Sequence, residues 1–291
     1  MKRTFLAKLQ ISARYSLIGA LLLVLGVPLY QLFVLIPSGY GDALTTLNST
    51  LRWINTHSLL FLGYRALLII GFALMLGLSF ALFRIIVAQE ILGREEDGED
   101  EGEEIDEDGE DGEDGEDGEH GEDTPAQEKE EEGDQADGMP SFAWRGKGYA
   151  VIAAWTGLLG LIFFAGGTLA SAIYLLSSAS SISPQSALTD NAAPLTGFFA
   201  ILTFTVGGGL LALSCLFFGA VIARSGRNLW PTMWVAFGYV ALAIAALMSG
   251  SAVEVAFAPT TGQAILSTPA ILLFALWVLW FGVMVVRLKP E

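Results

Sequence analysis

The 291-residue chain holds few side chains able to do chemistry: two histidines, one cysteine, and an arginine, Arg65, set inside a long apolar run. A cation inside an apolar run marks a candidate substrate or ion site, and it needs a carboxylate partner. Asp42, Asp190 and Glu254 fall on the side of the membrane nearer to Arg65. Glu254 is the best placed, because residues 251–258 are apolar enough to extend the helix before them. Arg65 and Glu254 are therefore the candidate intramembrane polar pair. A plainer reading is preferred. At about 1.5 Å per residue Arg65 sits only about 9 Å into its helix, so its guanidinium can reach back to the interface.

The remaining chemistry is sparse. Cys215 lies in an apolar run with no neighbouring base or cation and reads as a small buried hydrophobe. His57 falls in a loop and His120 in an acidic tract. Neither belongs to an H-E-x-x-H, C-x-x-C, P-loop or G-x-S-x-G pattern. No catalytic, metal or cofactor-binding residue is assigned, and an enzyme is not expected. The run Gly39-Tyr40-Gly41-Asp42 matches two motifs in part. A potassium-channel filter needs a re-entrant helix ahead of its carbonyl loop, whereas Ile36-Pro37-Ser38 leads straight out of an apolar run. An intramembrane aspartyl protease needs two carboxylates sharing a proton, and no Asp lies in any apolar run. The four residues read instead as a Pro/Gly turn.

What positions these residues is membrane-spanning helix. The chain is 53% hydrophobic with a mean hydropathy of +0.55, and continuous apolar runs account for it. About 20 apolar residues of helix cross a hydrocarbon core of about 30 Å. Six runs qualify: residues 16–36, 59–83, 149–176, 196–223, 231–250 and 269–286. They lack period-two alternation, so the expected fold class is all-α, a polytopic bundle of six transmembrane helices. The basic stretch before the first run is consistent with an uncleaved first span, and Phe5, Leu6 and Leu9 with their lysines and arginines suit a short interfacial helix. Small residues at Gly166, Gly167, Ala170, Ser171 and the Gly207–Gly209 triplet suit close helix packing, with a broken helix at the triplet as the lesser reading. Trp144, Tyr149, Trp230 and Trp234 suit an aromatic belt.

Basic residues orient the bundle. Lys2, Arg3, Lys8 and Arg14 precede span one; Arg84, Arg94, Lys129, Arg145 and Lys147 join spans two and three. Arg224 and Arg227 join spans four and five, and Arg287 and Lys289 follow span six. The alternate connections hold only Arg52. The imbalance places both termini and the long connection in the cytoplasm of a cell membrane.

The net charge of −16 is concentrated in that connection: residues 89–138 carry 27 Asp and Glu against Arg94 and Lys129. Like charges repel and almost no apolar surface can be buried there, so the stretch from Arg94 to Gly138 is expected to be a disordered, acidic, low-complexity loop. Glu104, Asp106, Asp108 and Gly109 begin like a calcium loop, but the twelfth position is Gly115 rather than Glu. The expected organisation is residues 1–88 as basic segment plus spans one and two, 89–143 as acidic loop, and 144–291 as spans three to six. The loop's charge suits docking of a basic protein partner, diffuse cation binding, or plain solvation. Nucleic acid is not an expected partner; the lipid bilayer is.

The segment Phe218-Gly-Ala-Val-Ile-Ala-Arg-Ser-Gly-Arg-Asn-Leu-Trp-Pro, with Trp234, Gly238 and the last run ending at Arg287, resembles small multi-helix prokaryotic membrane proteins of unassigned function. The resemblance covers the last third and implies a prokaryotic membrane protein without transferring a site. Two function classes follow. One is a non-enzymatic scaffold or regulatory component with the acidic loop as contact. The other is a small transporter or channel with a polar site near the ends of spans two and five.

Orientation is open to direct test. With Cys215→Ala as background, single cysteines at Ser38, Ser186 and Thr260 should label from outside intact cells with an impermeant maleimide, and one at Thr124 only after lysis. External labelling at Thr124 would reverse the topology.

Overall fold

The computed structural model describes residues 3–44, 46–100, 141–181, 192–257 and 266–287, and among them helix is the only regular structure. Six helices are long and apolar enough to cross a membrane: span one Ala7–Leu35, span two Ser58–Gln89, span three Gly148–Ser180, span four Pro194–Ser225, span five Thr232–Phe257 and span six Ser267–Val286. Each expected run coincides with one of them, the first and fifth overhanging by a single residue, Ile36 and Pro231. The helix of span five does continue over Ser251 and Glu254 to Phe257.

The spans pack in chain order, each on its neighbour, and span one also packs on span six, which closes the ring. Span one shows how sequence sets this. From Leu9 to Val27 its buried side chains are Leu9, Ala13, Ser16, Ala20, Leu23 and Val27, spaced alternately four and three residues apart, which is one narrow helical face. Ile18, Leu25, Leu29, Leu32 and Phe33 on the other faces are exposed, as lipid contact requires. This stripe also corrects the expected interfacial helix. The helix runs unbroken from Arg3 to Leu21, and Leu9 belongs to the buried stripe rather than to a membrane surface.

Lipid gives helices no hydrophobic reason to associate, so the seams depend on close backbone approach. A Cβ on Gly19 would stand 2.6 Å from the Gly71 carbonyl oxygen, joining spans one and two. A Cβ on Gly219 would stand 2.8 Å from the Gly238 carbonyl oxygen, joining spans four and five. In the triplet only Gly207 packs this way, against Gly160 and Phe164 of span three, whereas Gly208 and Gly209 meet open space. Gly167 lies against Thr203, while Gly166 contacts nothing. The helix is not broken at the triplet; it is wound as π-helix over Ile201–Gly207 and resumes as α-helix at Gly208.

The break lies elsewhere. Span two divides into Ser58–Leu74 and Leu78–Asp100. Between them Met75 N–H bonds the Phe72 carbonyl at 3.1 Å, Leu76 N–H the Ala73 carbonyl at 3.2 Å and Leu78 N–H the Met75 carbonyl at 2.9 Å. Short-range turns thus keep the backbone satisfied where water is absent. The Gly77 carbonyl accepts from Ser12 Oγ of span one at 3.0 Å.

Two apolar clusters result. The main one runs through all six spans and includes Phe72, Phe164, Phe237, Trp277 and Phe281. Phe237 and Trp277 stack with centroids 4.4 Å apart, and Trp277 Nε1 donates to the Phe237 carbonyl at 3.0 Å. Trp230 and Trp234 are buried rather than forming an interfacial belt, Trp234 against Phe237 and Phe281 and Trp230 against Trp234. Tyr149 is exposed as a belt residue would be; the Trp144 side chain lies outside the described residues. The second cluster is small and sits where spans one and two connect.

The helix of span two carries Arg94–Asp100, so the first residues of the acidic stretch are helical rather than irregular. The rest of the tract, with His120 and the calcium-loop candidate, lies outside the described residues. Arg84, Arg224 and Arg287 are exposed near the ends of spans two, four and six.

Replacing Gly219 with Val should lower stability by about 1–3 kcal/mol, because the seam cannot widen without losing its contacts. Gly209→Ala, which meets open space, should leave thermal unfolding of the detergent-solubilised protein unchanged. Equal melting of the two variants would show that the seam is not set by backbone approach.

Candidate functional site

The second cluster is built by the connection between spans one and two. Gly39 has φ of 80°, a left-handed conformation that glycine alone adopts without strain. It closes the turn that leaves span one, with Gly39 N–H on the Ile36 carbonyl at 3.1 Å and Ser38 Oγ on the Leu35 carbonyl at 2.7 Å. Tyr40–Ala43 forms one helical turn. The Gly39-Tyr40-Gly41-Asp42 run is thus a turn beyond span one, and Asp42 lies outside every span.

A helix the sequence reading missed follows at Leu47–Thr56. Thr46 Oγ1 accepts from Ser49 N–H and Ser49 Oγ from Thr46 N–H, each at 3.1 Å, a reciprocal cap that satisfies two end donors. Leu51, Trp53 and Ile54 bury one face of it beside Ala172, Leu175 and Ala179 of span three. Trp53 Nε1 donates to the Ser38 carbonyl at 2.8 Å, tying this helix to the turn. His57 stacks on Trp53 at 5.0 Å, its Nδ1 2.8 Å from Thr56 Oγ1.

Arg65 lies beneath this cap on span two. Its guanidinium carbon is 5.2 Å from the Phe61 ring centroid and 6.0 Å from that of Tyr64. A helical side chain leans toward the N-terminal end of its helix, so Arg65 reaches back toward the loop over the ring four residues earlier. Its Nε is buried with no hydrogen-bond partner. Around it, Gln31 Nε2 of span one donates to the Tyr64 hydroxyl at 3.0 Å, and the Tyr30 hydroxyl donates to the Leu60 carbonyl at 3.1 Å. Span one is wound as π-helix from Gln31 to Leu35. Tyr40 stands 4.8 Å from Trp53 and 6.4 Å from Tyr64, ring to ring. Burial raises the Tyr40 pKa above the ordinary 10.0; the Arg65 charge opposes this and Tyr64 adds to it. Tyr40 is therefore a neutral phenol at physiological pH.

Glu254 has a different setting. Its Oε2 accepts the Leu266 N–H at 3.1 Å, so the carboxylate caps the start of span six, where backbone donors lack helical partners. Nearby, the buried Ser251 and Ser267 hydroxyls are 2.6 Å apart and Thr205 Oγ1 donates to the Ala252 carbonyl at 3.0 Å. Arg65 thus has aromatic rings against its guanidinium, and Glu254 has the start of span six against its carboxylate. Asp190 lies outside the described residues. Cys215 is buried in span four. Among the described residues no three His, Cys, Asp or Glu side chains group to hold a metal ion.

Gln31, Tyr64 and the Leu47–Thr56 helix were not foreseen. Tyr30-Gln31 inside an apolar run was the available signal. No protein family, curated protein or solved structure matches the chain.

Because the folded state keeps the Tyr40 proton that the unfolded chain releases near pH 10, its stabilising contribution is complete below about pH 10 and is lost as pH rises past it. Phenolate absorbance should show a component titrating above 10.0 that Tyr40→Phe removes. A titration unaltered by that substitution would contradict the burial.

Proposed function

We propose that this chain is a non-enzymatic component of a prokaryotic cell membrane that scaffolds or regulates a partner through its acidic tract, with both termini and the tract cytoplasmic. The observation that carries this reading is the interior of the bundle. It is filled by aromatic and aliphatic side chains, and two of its buried hydroxyls bond to backbone: Ser214 Oγ to the Ala153 carbonyl at 2.7 Å, Thr168 Oγ1 to the Phe164 carbonyl at 2.7 Å. Coupled transport rests on ionisable groups lining a path, whereas the buried polar residues of the described bundle are serines and threonines. The tract is where charge resides, and two helices frame it: Leu78–Asp100 before and Ser141–Ser180 after. A segment of charge density this high attracts basic protein surfaces and is repelled by anionic lipid.

One observation favours the transporter reading. The break in span two borders a groove of about 240 Å³ lined by Ser12, Tyr15, Ala73, Leu74 and Gly77. Discontinuous helices of this kind form substrate sites in transporters.

The two readings separate in one experiment. Full-length protein should co-purify a basic partner at low ionic strength, release it as salt rises, and lose it when residues 95–137 are deleted. Solute flux in reconstituted liposomes that survives the deletion, with no partner retained by the full chain, would replace the scaffold by the transporter.

A further inference from the structure

We propose that Arg65, with Tyr64 and Tyr40, forms a binding site for a phosphate group at the end of spans one and two beneath the Leu47–Thr56 helix. Four observations converge on it. The guanidinium is held over two ring faces, Phe61 at 5.2 Å and Tyr64 at 6.0 Å, so it is oriented rather than freely rotating. Among the described residues its contacts are rings, Phe61 and Tyr64, and no described carboxylate stands in ion-pair contact with it. Its Nε is buried without an acceptor, while the other guanidinium nitrogens are not among the buried unpartnered atoms. The charged end therefore reaches the protein surface with hydrogen-bonding capacity left over. Finally, neutral donors stand beside it. Tyr64 accepts from Gln31 and keeps its own hydroxyl proton to give, and burial holds Tyr40 as a phenol.

Phosphate suits this arrangement better than a carboxylate solute. A guanidinium fork meets two phosphate oxygens at once, and a third oxygen remains for a phenol. The depth fits as well. Arg65 is seven residues from the start of the helix at Ser58, about 10 Å of rise, and leans back toward that end. This brings the charge to where lipid headgroup phosphates lie. Arg52 on the loop helix is exposed and serves as the control.

The source of the phosphate is either a headgroup or a free anion, and two arms distinguish them. In the first, full-length protein is reconstituted in nanodiscs of phosphatidylcholine with phosphatidylglycerol, extracted in mild detergent, and its retained lipid measured by native mass spectrometry. Wild type and Arg52→Gln should keep phosphatidylglycerol, Arg65→Gln should keep about tenfold less, and Arg65→Lys, which keeps charge but not the fork, should be intermediate. In the second arm, inorganic phosphate is titrated into delipidated protein and tryptophan fluorescence is followed, Trp53 being 4.8 Å from Tyr40. A saturable change lost in Arg65→Gln, without lipid retention, assigns a free anion. Equal retention and equal fluorescence response in wild type and Arg65→Gln overturn the site, as does an equal loss in Arg52→Gln. If Arg65→Gln fails to fold, Arg65→Lys and Tyr64→Phe decide, and behaviour like wild type in both overturns it. Deleting residues 95–137 should leave the binding intact, so this proposal and the scaffold reading fail separately.

Discussion

Inside hydrocarbon every backbone N–H and C=O must find a partner within the protein, and apolar side chains gain nothing by leaving lipid for each other. The rest of this structure depends on that pair of constraints. Helices can associate only by approaching closely enough for dispersion and for side-chain bonds to backbone. Hence glycine faces carbonyl at Gly19–Gly71 and Gly219–Gly238. Serine and tryptophan reach across to neighbouring carbonyls at Ser214–Ala153 and Trp277–Phe237. The departures from α-helix obey the same constraint. The turn at residues 75–77 closes its own hydrogen bonds, and Ser12 adds one more.

Within such a bundle the two ends differ. One carries exposed Arg84, Arg224 and Arg287 and the start of the acidic tract. The other has a small core of its own, roofed by the Leu47–Thr56 helix, with Arg65 below. Arg65 Nε is a buried side-chain donor without an acceptor, as is the Ser16 hydroxyl of span one. Leaving a buried donor unsatisfied costs about 1–3 kcal/mol, which the contacts of the guanidinium with the Phe61 and Tyr64 rings offset in part.

The six spans were legible in the sequence because apolar length is a property of composition, and the alternation of basic residues supported the count independently. Their order around the ring was not legible. The hydropathy of Met75-Leu76-Gly77 differs little from its surroundings, so the break in span two left no trace except one glycine. The small helix at Leu47–Thr56 did leave one, in Thr46 and Ser49 as cap and Leu47, Leu51 and Ile54 at helical spacing, but its ten residues are too short to stand out among spans. Glu254 was singled out for its charge. Its role depends on where the chain resumes at Leu266, which no local pattern reports. Trp230 and Trp234 looked like interfacial anchors by position, and only the contact of Trp234 with Phe281 of span six, with Trp230 packed on Trp234, accounts for their burial.

The seam between spans one and six has a consequence for biosynthesis. Ala13 and Leu17 pack against Gly282, so the first span to enter the membrane meets its second neighbour only when the last has been made. Throughout synthesis of the intervening spans, the stripe containing Ser16 faces lipid or the insertion machinery with an open flank. Five seams can form in order as the chain emerges, but the sixth waits. The newly inserted protein therefore passes through an open arc, and its closure joins the two spans farthest apart in sequence.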